Sequence, residues 1–287
     1  MSSLRGFTNL KLVNDSIRFL FLSLKPERIR GFQSTLSHCD MPGKDWSDPV
    51  LDAQAVAKAI ASHFLLDVSA VVVTFRSDLK VPGRVELSQS SEFFIEIHSE
   101  HRDEPHCVAA ILAHEIAHIF LHRNRIRLEQ TFENEVLTDT AAAYLGCGVL
   151  ILNGATTTVR KVDSRTMRTQ SRRFGYLTID EFGYVVAKRD SLFGQGSAYL
   201  LNTDLAQAGY HEGSLMLDQE RRVRPLVRRP FHERFRYWFA GKGPDQTTDD
   251  VITFGCPHCS QRLRIRLARK KHLVRCAMCD SRFWCYS

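Results

Sequence analysis

The stretch HEIAHIFLH, residues 114 to 122, sets three histidines four residues apart, with a glutamate after the first. Four residues of helix turn about 400°, so His114 and His118 share a face, roughly 6 Å apart along the axis. Two imidazoles so placed can converge on one zinc ion at about 2.0 to 2.1 Å. Glu115, about 100° further round, can reach a water held by that ion. His122 lies another turn along, beyond the reach of the same ion on a straight helix, and is expected to be an outer or surface histidine. The flanking CVAAILA and IF make this helix strongly apolar. A histidine pair and a glutamate buried there need compensation, which a metal supplies.

A third ligand is required. The metzincin pattern fails, because it needs Gly where this chain has Leu121 and His where it has Asn124. NEVLTD, residues 134 to 139, offers Glu135, with Asp139 one turn later on the same face. HExxH followed by NExx(S/T)D on the next helix resembles the gluzincins, the thermolysin-like clan of zinc metallopeptidases, over roughly residues 50 to 155. The resemblance implies a zincin-like fold with His114, His118 and Glu135 on a catalytic zinc and Glu115 as general base. It also implies that Asp139 orients one zinc-bound histidine, and that SSEFFIEIH matches the family's edge strand, which pairs with an extended peptide. Three protein ligands leave the fourth position for water. The oxyanion donor is not fixed by any motif; Tyr144, Tyr176, Tyr184 and His211 are the candidates.

A second cluster lies near the end. CPHC and CAMC, sixteen residues apart, supply Cys256, Cys259, Cys276 and Cys279, a four-thiolate set that closes a tetrahedral zinc shell. No position stays open, so this zinc is expected to be structural. The segment resembles a zinc ribbon. His258, His272 and Cys285 break the symmetric spacing. The other cysteines show no pairing pattern, and metal binding is favoured over disulfides in a chain read as cytoplasmic and without a secretion signal.

The net charge of +7 is concentrated in this tail. Residues 251 to 287 carry eight Lys plus Arg and one acid, leaving 31 basic and 31 acidic residues before them. Arg262, Arg264, Arg266, Lys270 and Lys271, with aromatic residues following, fit nucleic acid or an acidic protein surface. A solvated strand face with packed aromatics is the alternative. The Arg-rich runs at 159 to 173 and 221 to 236 read as solvated loops.

These groups need elements to hold them. IRFLFLSL, residues 17 to 24, is too short to span a membrane and reads as a buried strand. A helix is expected from Ser47 or Asp48 onward, strands at 69 to 75, in RVELS and in FFIEIH, then the two helices of the site. The second helix is expected to end near Gly146 or Gly148. Thr178 and Glu181 have capping-box spacing. Short helices are expected within 194 to 250, and GKGPDQTTDD at 241 to 250 reads as a linker.

The fold class is therefore α+β: a zincin-like domain with a small mixed sheet and an active-site helix pair, plus a small β zinc ribbon. The expected division is an unassigned segment 1–45, a metallopeptidase core 46–155, a mainly helical and loop, Arg-rich extension 156–245, and the ribbon 251–287. The expected function is hydrolysis of a peptide bond in a protein or peptide, with one catalytic and one structural Zn2+. The rivals are a non-catalytic regulatory or metal-sensing protein and a nucleic-acid-binding ribbon protein.

Overall fold

The computed structural model describes residues 6–24, 28–29, 31–42, 45–67, 69–87, 92–161, 167–172, 174–223, 246–248, 251–256, 262–266, 271–276 and 282–286. The architecture is α+β: helices packed around a small three-stranded mixed sheet.

The chain opens with helix α1 (Leu10–Ser23) rather than the strand expected at 17 to 24. The reason lies in a longer window. Val13, Ile17, Leu20, Phe21 and Leu24 recur at helical spacing and all are buried, while Asp15 and Arg18 face out. Helix α2 (Pro49–His63) starts as expected: Asp48 accepts from the Val50 and Leu51 N–H groups, and Pro49 takes the first turn.

Strands β1 (Ala70–Arg76), β2 (Gly83–Val85) and β3 (Glu92–His98) pair in the order β1-β3-β2, with β1 and β3 parallel and β2 antiparallel to β3. Strand β3 buries Phe93, Ile95 and Ile97 on one face, as its alternation demands. It is the central strand. The edge role expected of FFIEIH falls to β2, because the VPG turn runs directly into a strand that pairs on one side only. Arg84 on β2 reaches the Glu96 carboxylate at 2.5 Å, and Arg76 from β1 reaches it at 2.9 Å, which ties all three strands.

Two helices then cross the core. Helix α3 (Pro105–Arg123) is buried on nearly every side, as an all-round apolar helix must be. Helix α4 (Thr131–Ala142) and the turn after it break at Gly146, where the helix was expected to end. This π-turn (Ala143–Cys147) leads into α5 (Gly148–Gly154), all of it buried. Gly146 has φ 117°, and a Cβ there would meet His63 Nε2 at 2.6 Å and the Ser34 carbonyl at 2.7 Å. This glycine ends the first of these two helices in a left-handed conformation that allows the close packing, and the chain restarts as α5. The run 131–154 is long and apolar enough to cross a membrane, and 94% of that apolar window is buried inside the protein, as in a core helix.

The Arg-rich stretch after α5 also departs from expectation. Strands β4 (Thr156–Lys161) and β5 (Met167–Arg172) form an antiparallel hairpin where a loop was expected. Helix α6 (Ile179–Phe193) opens with the anticipated Thr178–Glu181 capping box and closes on left-handed Gly194. Helix α7 (Asp204–Val223) is a single long helix rather than several short ones, packed along α6 through Gly183, Gly209 and Gly213. Part of the expected linker becomes β6 (Gln246–Thr248), which pairs with β7 (Val251–Gly255); β7 in turn pairs with β8 (Arg262–Arg266), and β9 (Lys271–Arg275) with β10 (Arg282–Tyr286).

Candidate metal centre

Helix α3 presents His114 and His118, and α4 presents Glu135, to one point. The three facing atoms form a nearly equilateral triangle. His118 Nε2 lies 3.1 Å from His114 Nε2 and 3.2 Å from Glu135 Oε2, and His114 Nε2 lies 3.3 Å from the same oxygen. A tetrahedral ion bound at about 2.05 Å separates its ligand atoms by about 3.3 Å. The triangle therefore fits a zinc-sized ion with one coordination position facing away.

Hydrogen positions strengthen this fit. Asp139, fully buried on α4, accepts from the Tyr176 N–H at 2.5 Å and the Leu177 N–H at 3.0 Å on one oxygen. Its other oxygen lies 2.7 Å from His114 Nδ1, so that nitrogen carries the proton and Nε2 keeps its lone pair. Thr138 donates its only hydroxyl hydrogen to the Asn134 carbonyl at 2.9 Å. Its oxygen can then only accept from His118 Nδ1, 3.2 Å away, and His118 Nε2 is bare as well. With both imidazoles neutral in these tautomers, two lone pairs and a carboxylate oxygen face one another, an arrangement relieved by positive charge, either a metal ion or a proton on an imidazole.

The local field points the same way. Burial opposes a charge on His114, yet Asp139, Glu135 and Glu115 outweigh it and raise its pKa well above the ordinary value. Burial also opposes ionisation of Glu135, but its bonds to His114 and His118 hold the carboxyl down at about 2. In the absence of an ion, a proton on the imidazoles satisfies the same demand for positive charge.

Glu115 sits beside the triangle and is 6% exposed. Burial raises its pKa; His114 and His118 act in the opposite direction, as does the Val85 N–H, which donates to it. Strand β2 packs directly on this side chain. A Cβ at Gly83 would lie 2.4 Å from Ile111 and 3.0 Å from the Glu115 carboxylate, so only glycine lets the strand come this close.

The triangle and Glu115 line a cleft of about 490 Å3. Residues 81–85 and Leu87 form one wall, and Phe174, Gly175 and Tyr176 the other. Val81, Leu87 and Tyr176 on its rim are 43–48% exposed, and Tyr176 meets exposed Phe132 edge to face at 6.0 Å. Gly175 has φ 100°, and a Cβ on it would fall 2.4 Å from an Asp139 oxygen.

Of the four oxyanion candidates, only Tyr176 reaches this cleft. Burial and the nearby carboxylates, Glu135 first among these, raise its pKa. Tyr144 and Tyr184 are buried in the core, and His211 lines a different hollow, with Tyr199 and Tyr210. His122 stays out of the ligand triangle, as helix geometry requires.

Thr138, the Gly83–Val85 wall and Gly175 were not singled out by sequence reasoning. Thr138 had a signal, since it occupies the S/T position of NExx(S/T)D. The other two come from segments remote in sequence and carry no local mark.

In the tail, Cys256 and Cys276 are both buried, each directly after a strand end, of β7 and β9 respectively. Cys259, Cys279 and Lys270 lie outside the described residues. Arg264 and Arg266 are exposed on β8, and Arg262 and Lys271 belong to β8 and β9. No protein family, no curated protein and no solved structure matches this chain.

Proposed function

We propose that this protein is a zinc-dependent peptidase of zincin-like build that hydrolyses a peptide bond in an extended protein or peptide segment. The observation that carries the reading is the convergence of three bare lone pairs, on His114, His118 and Glu135, beside the buried carboxyl of Glu115 in an open cleft. In this reading those three residues hold a zinc ion, and Asp139 and Thr138 keep the two imidazoles in the tautomers that binding needs. Bound zinc lowers the pKa of a water to about 7 and polarises a carbonyl.

The remaining roles belong to the chain itself. Glu115, with its pKa raised by burial, takes the proton of the attacking water and passes it to the departing amine. The Tyr176 phenol donates to the oxygen that gains charge. Edge strand β2 offers its backbone to an extended substrate, which adds as a further strand. The apolar rim at Val81, Leu87 and Tyr176 suits a hydrophobic side chain near the cleaved bond. The tail holds a second, structural zinc on Cys256, Cys259, Cys276 and Cys279, and its basic strands bind substrate, an acidic partner or nucleic acid.

The test compares wild type with Glu115→Gln on a proteome-derived peptide library, read by mass spectrometry alongside metal content. The wild type should cleave, and the variant should keep its metal while losing at least about 100-fold in rate. Cleavage at the wild-type rate by the variant removes Glu115 from its role. Metal-loaded wild type that cleaves nothing leaves a metal-binding protein without this activity.

A further inference from the structure

We propose that a further transition-metal ion, distinct from those of the cleft and the cysteine tail, binds on His101, Glu104 and Cys107 and braces the cleft wall at Phe174. The three residues occur at intervals of three, spanning the short 3-10 turn Ser99–His101 and the start of α3. One potential ligand atom from each lies within 4.8 Å of the others. His101 Nδ1 is 3.4 Å from Glu104 Oε2, close to the ligand spacing of about 3.3 Å around a tetrahedral ion.

Several features point to a ligand rather than to packing alone. Glu104 occupies the N-cap of α3, yet its side chain makes no capping bond there and turns back to His101. Glu100 Oε1 lies 3.4 Å from His101 Nε2, on the opposite edge of the ring. That carboxylate makes no hydrogen bond to Nε2, but its charge favours the proton there and leaves Nδ1 as the ligand atom. His101 and Cys107 are each 1% exposed, whereas the Glu104 side chain is 45% exposed and gives an ion its way in.

One imidazole nitrogen, one carboxylate oxygen and one sulfur make a borderline-soft set, suited to Zn2+ and its neighbours rather than to Mg2+ or Ca2+. On binding, the Cys107 thiol loses its proton to solvent and gives up its long contact to the Gly154 carbonyl, now 3.5 Å. The consequence for the cleft runs through His101. Its ring meets Phe174 edge-on at 5.2 Å and 83°. Phe174 immediately precedes Gly175 and Tyr176, which close the cleft, and Tyr176 and Leu177 hold Asp139. An ion on His101 thus fixes the orientation of the aromatic ring from which that wall hangs.

The experiment counts metal in the full chain after dialysis, by elemental analysis, with Co2+ exchanged for Zn2+ to report thiolate ligation. The proteins are wild type, Glu104→Gln, Cys107→Ser and His118→Ala. Glu104→Gln is the safeguard against misfolding, because its side chain is half exposed. The proposal expects Glu104→Gln and Cys107→Ser each to bind the extra equivalent at least tenfold more weakly. It expects the thiolate-to-cobalt band to fall in Cys107→Ser, and His118→Ala to lose a different equivalent, so that its combination with Cys107→Ser loses two. Wild-type metal content and affinity in either Glu104→Gln or Cys107→Ser overturns it. That outcome leaves the cleft site untouched, because the His118→Ala result reports on that site separately.

Discussion

Replacing Asp139 by Asn removes one charge and asks the carboxamide to serve two incompatible sides. The native carboxylate accepts from His114 Nδ1 at 2.7 Å and from two peptide N–H groups at 2.5 and 3.0 Å. If the Asn oxygen faces His114, its NH2 opposes two buried N–H donors. Hydrogen bonds to a charged group contribute about 1.5–3 kcal/mol each, so that rotamer costs about 3–6 kcal/mol. If the oxygen faces the peptides, their bonds survive in weaker, neutral form, at a loss of about 2 kcal/mol in all. The second rotamer wins, and it turns the NH2 toward His114 Nδ1. That nitrogen must then accept, its proton moves to Nε2, and the lone pair aimed at the ion disappears. Asp139→Asn should therefore fold, with a moderate fall in its urea midpoint, and bind the cleft ion about 10- to 100-fold more weakly in chelator competition. Zinc affinity within twofold of wild type would refute the tautomer argument.

Three further perturbations test neighbouring parts. Gly175→Ala places a Cβ 2.4 Å from Asp139 at φ 100°. It should destabilise the protein by about 1–3 kcal/mol in urea unfolding and weaken cleft metal binding; a variant as stable and as well loaded as wild type contradicts the packing. Tyr176→Phe keeps the exposed ring and loses the hydroxyl, so cleavage should slow by about 100-fold with metal content unchanged; an unchanged rate excludes Tyr176 as the oxyanion donor. His38 faces His106 with ring centroids 3.9 Å apart, and burial, assisted by His106, lowers its pKa to about 4. The unfolded state therefore takes up a proton first. The stabilising contribution is complete above the unfolded pKa of about 6.5 and is lost as pH falls toward about 4, by at most about 3 kcal/mol. Urea midpoints at pH 7.5 and 4.5 should differ less in His38→Gln than in wild type; equal differences refute the assignment.

The legible parts of this protein were those in which geometry is local. His114 and His118 were joined, and His122 set aside, by the pitch of one helix. Glu135 and Asp139 stood out as one-face candidates on the next helix, and their roles came from the resemblance of HExxH plus NExx(S/T)D to the gluzincins. The cleft walls were not legible, because Val85, Gly83 and Tyr176 reach the site only through tertiary folding, from about 30 residues before it and about 60 after it along the chain. Tyr176 could be shortlisted as a residue type but not separated from Tyr144 and Tyr184, whose burial is a property of the packed core. Residues 17 to 24 misled because a short apolar run carries no period of its own; only the window from Leu10 shows the 3.6-residue repeat. Gly146 was legible: its local signal says stop, and the helical dihedrals break there, where His63 and Ser34 come too close for a Cβ.

The central claim is that one ion sits at the meeting point of His114, His118 and Glu135. Anomalous diffraction at the zinc edge, from crystals of the zinc-loaded chain, tests it most directly. The account predicts a peak about 2.0–2.2 Å from His114 Nε2, His118 Nε2 and Glu135 Oε2, with Glu115 beside it but not bound. A cleft without a peak, or an ion whose third protein ligand is His122 or Glu115 in place of Glu135, would contradict it.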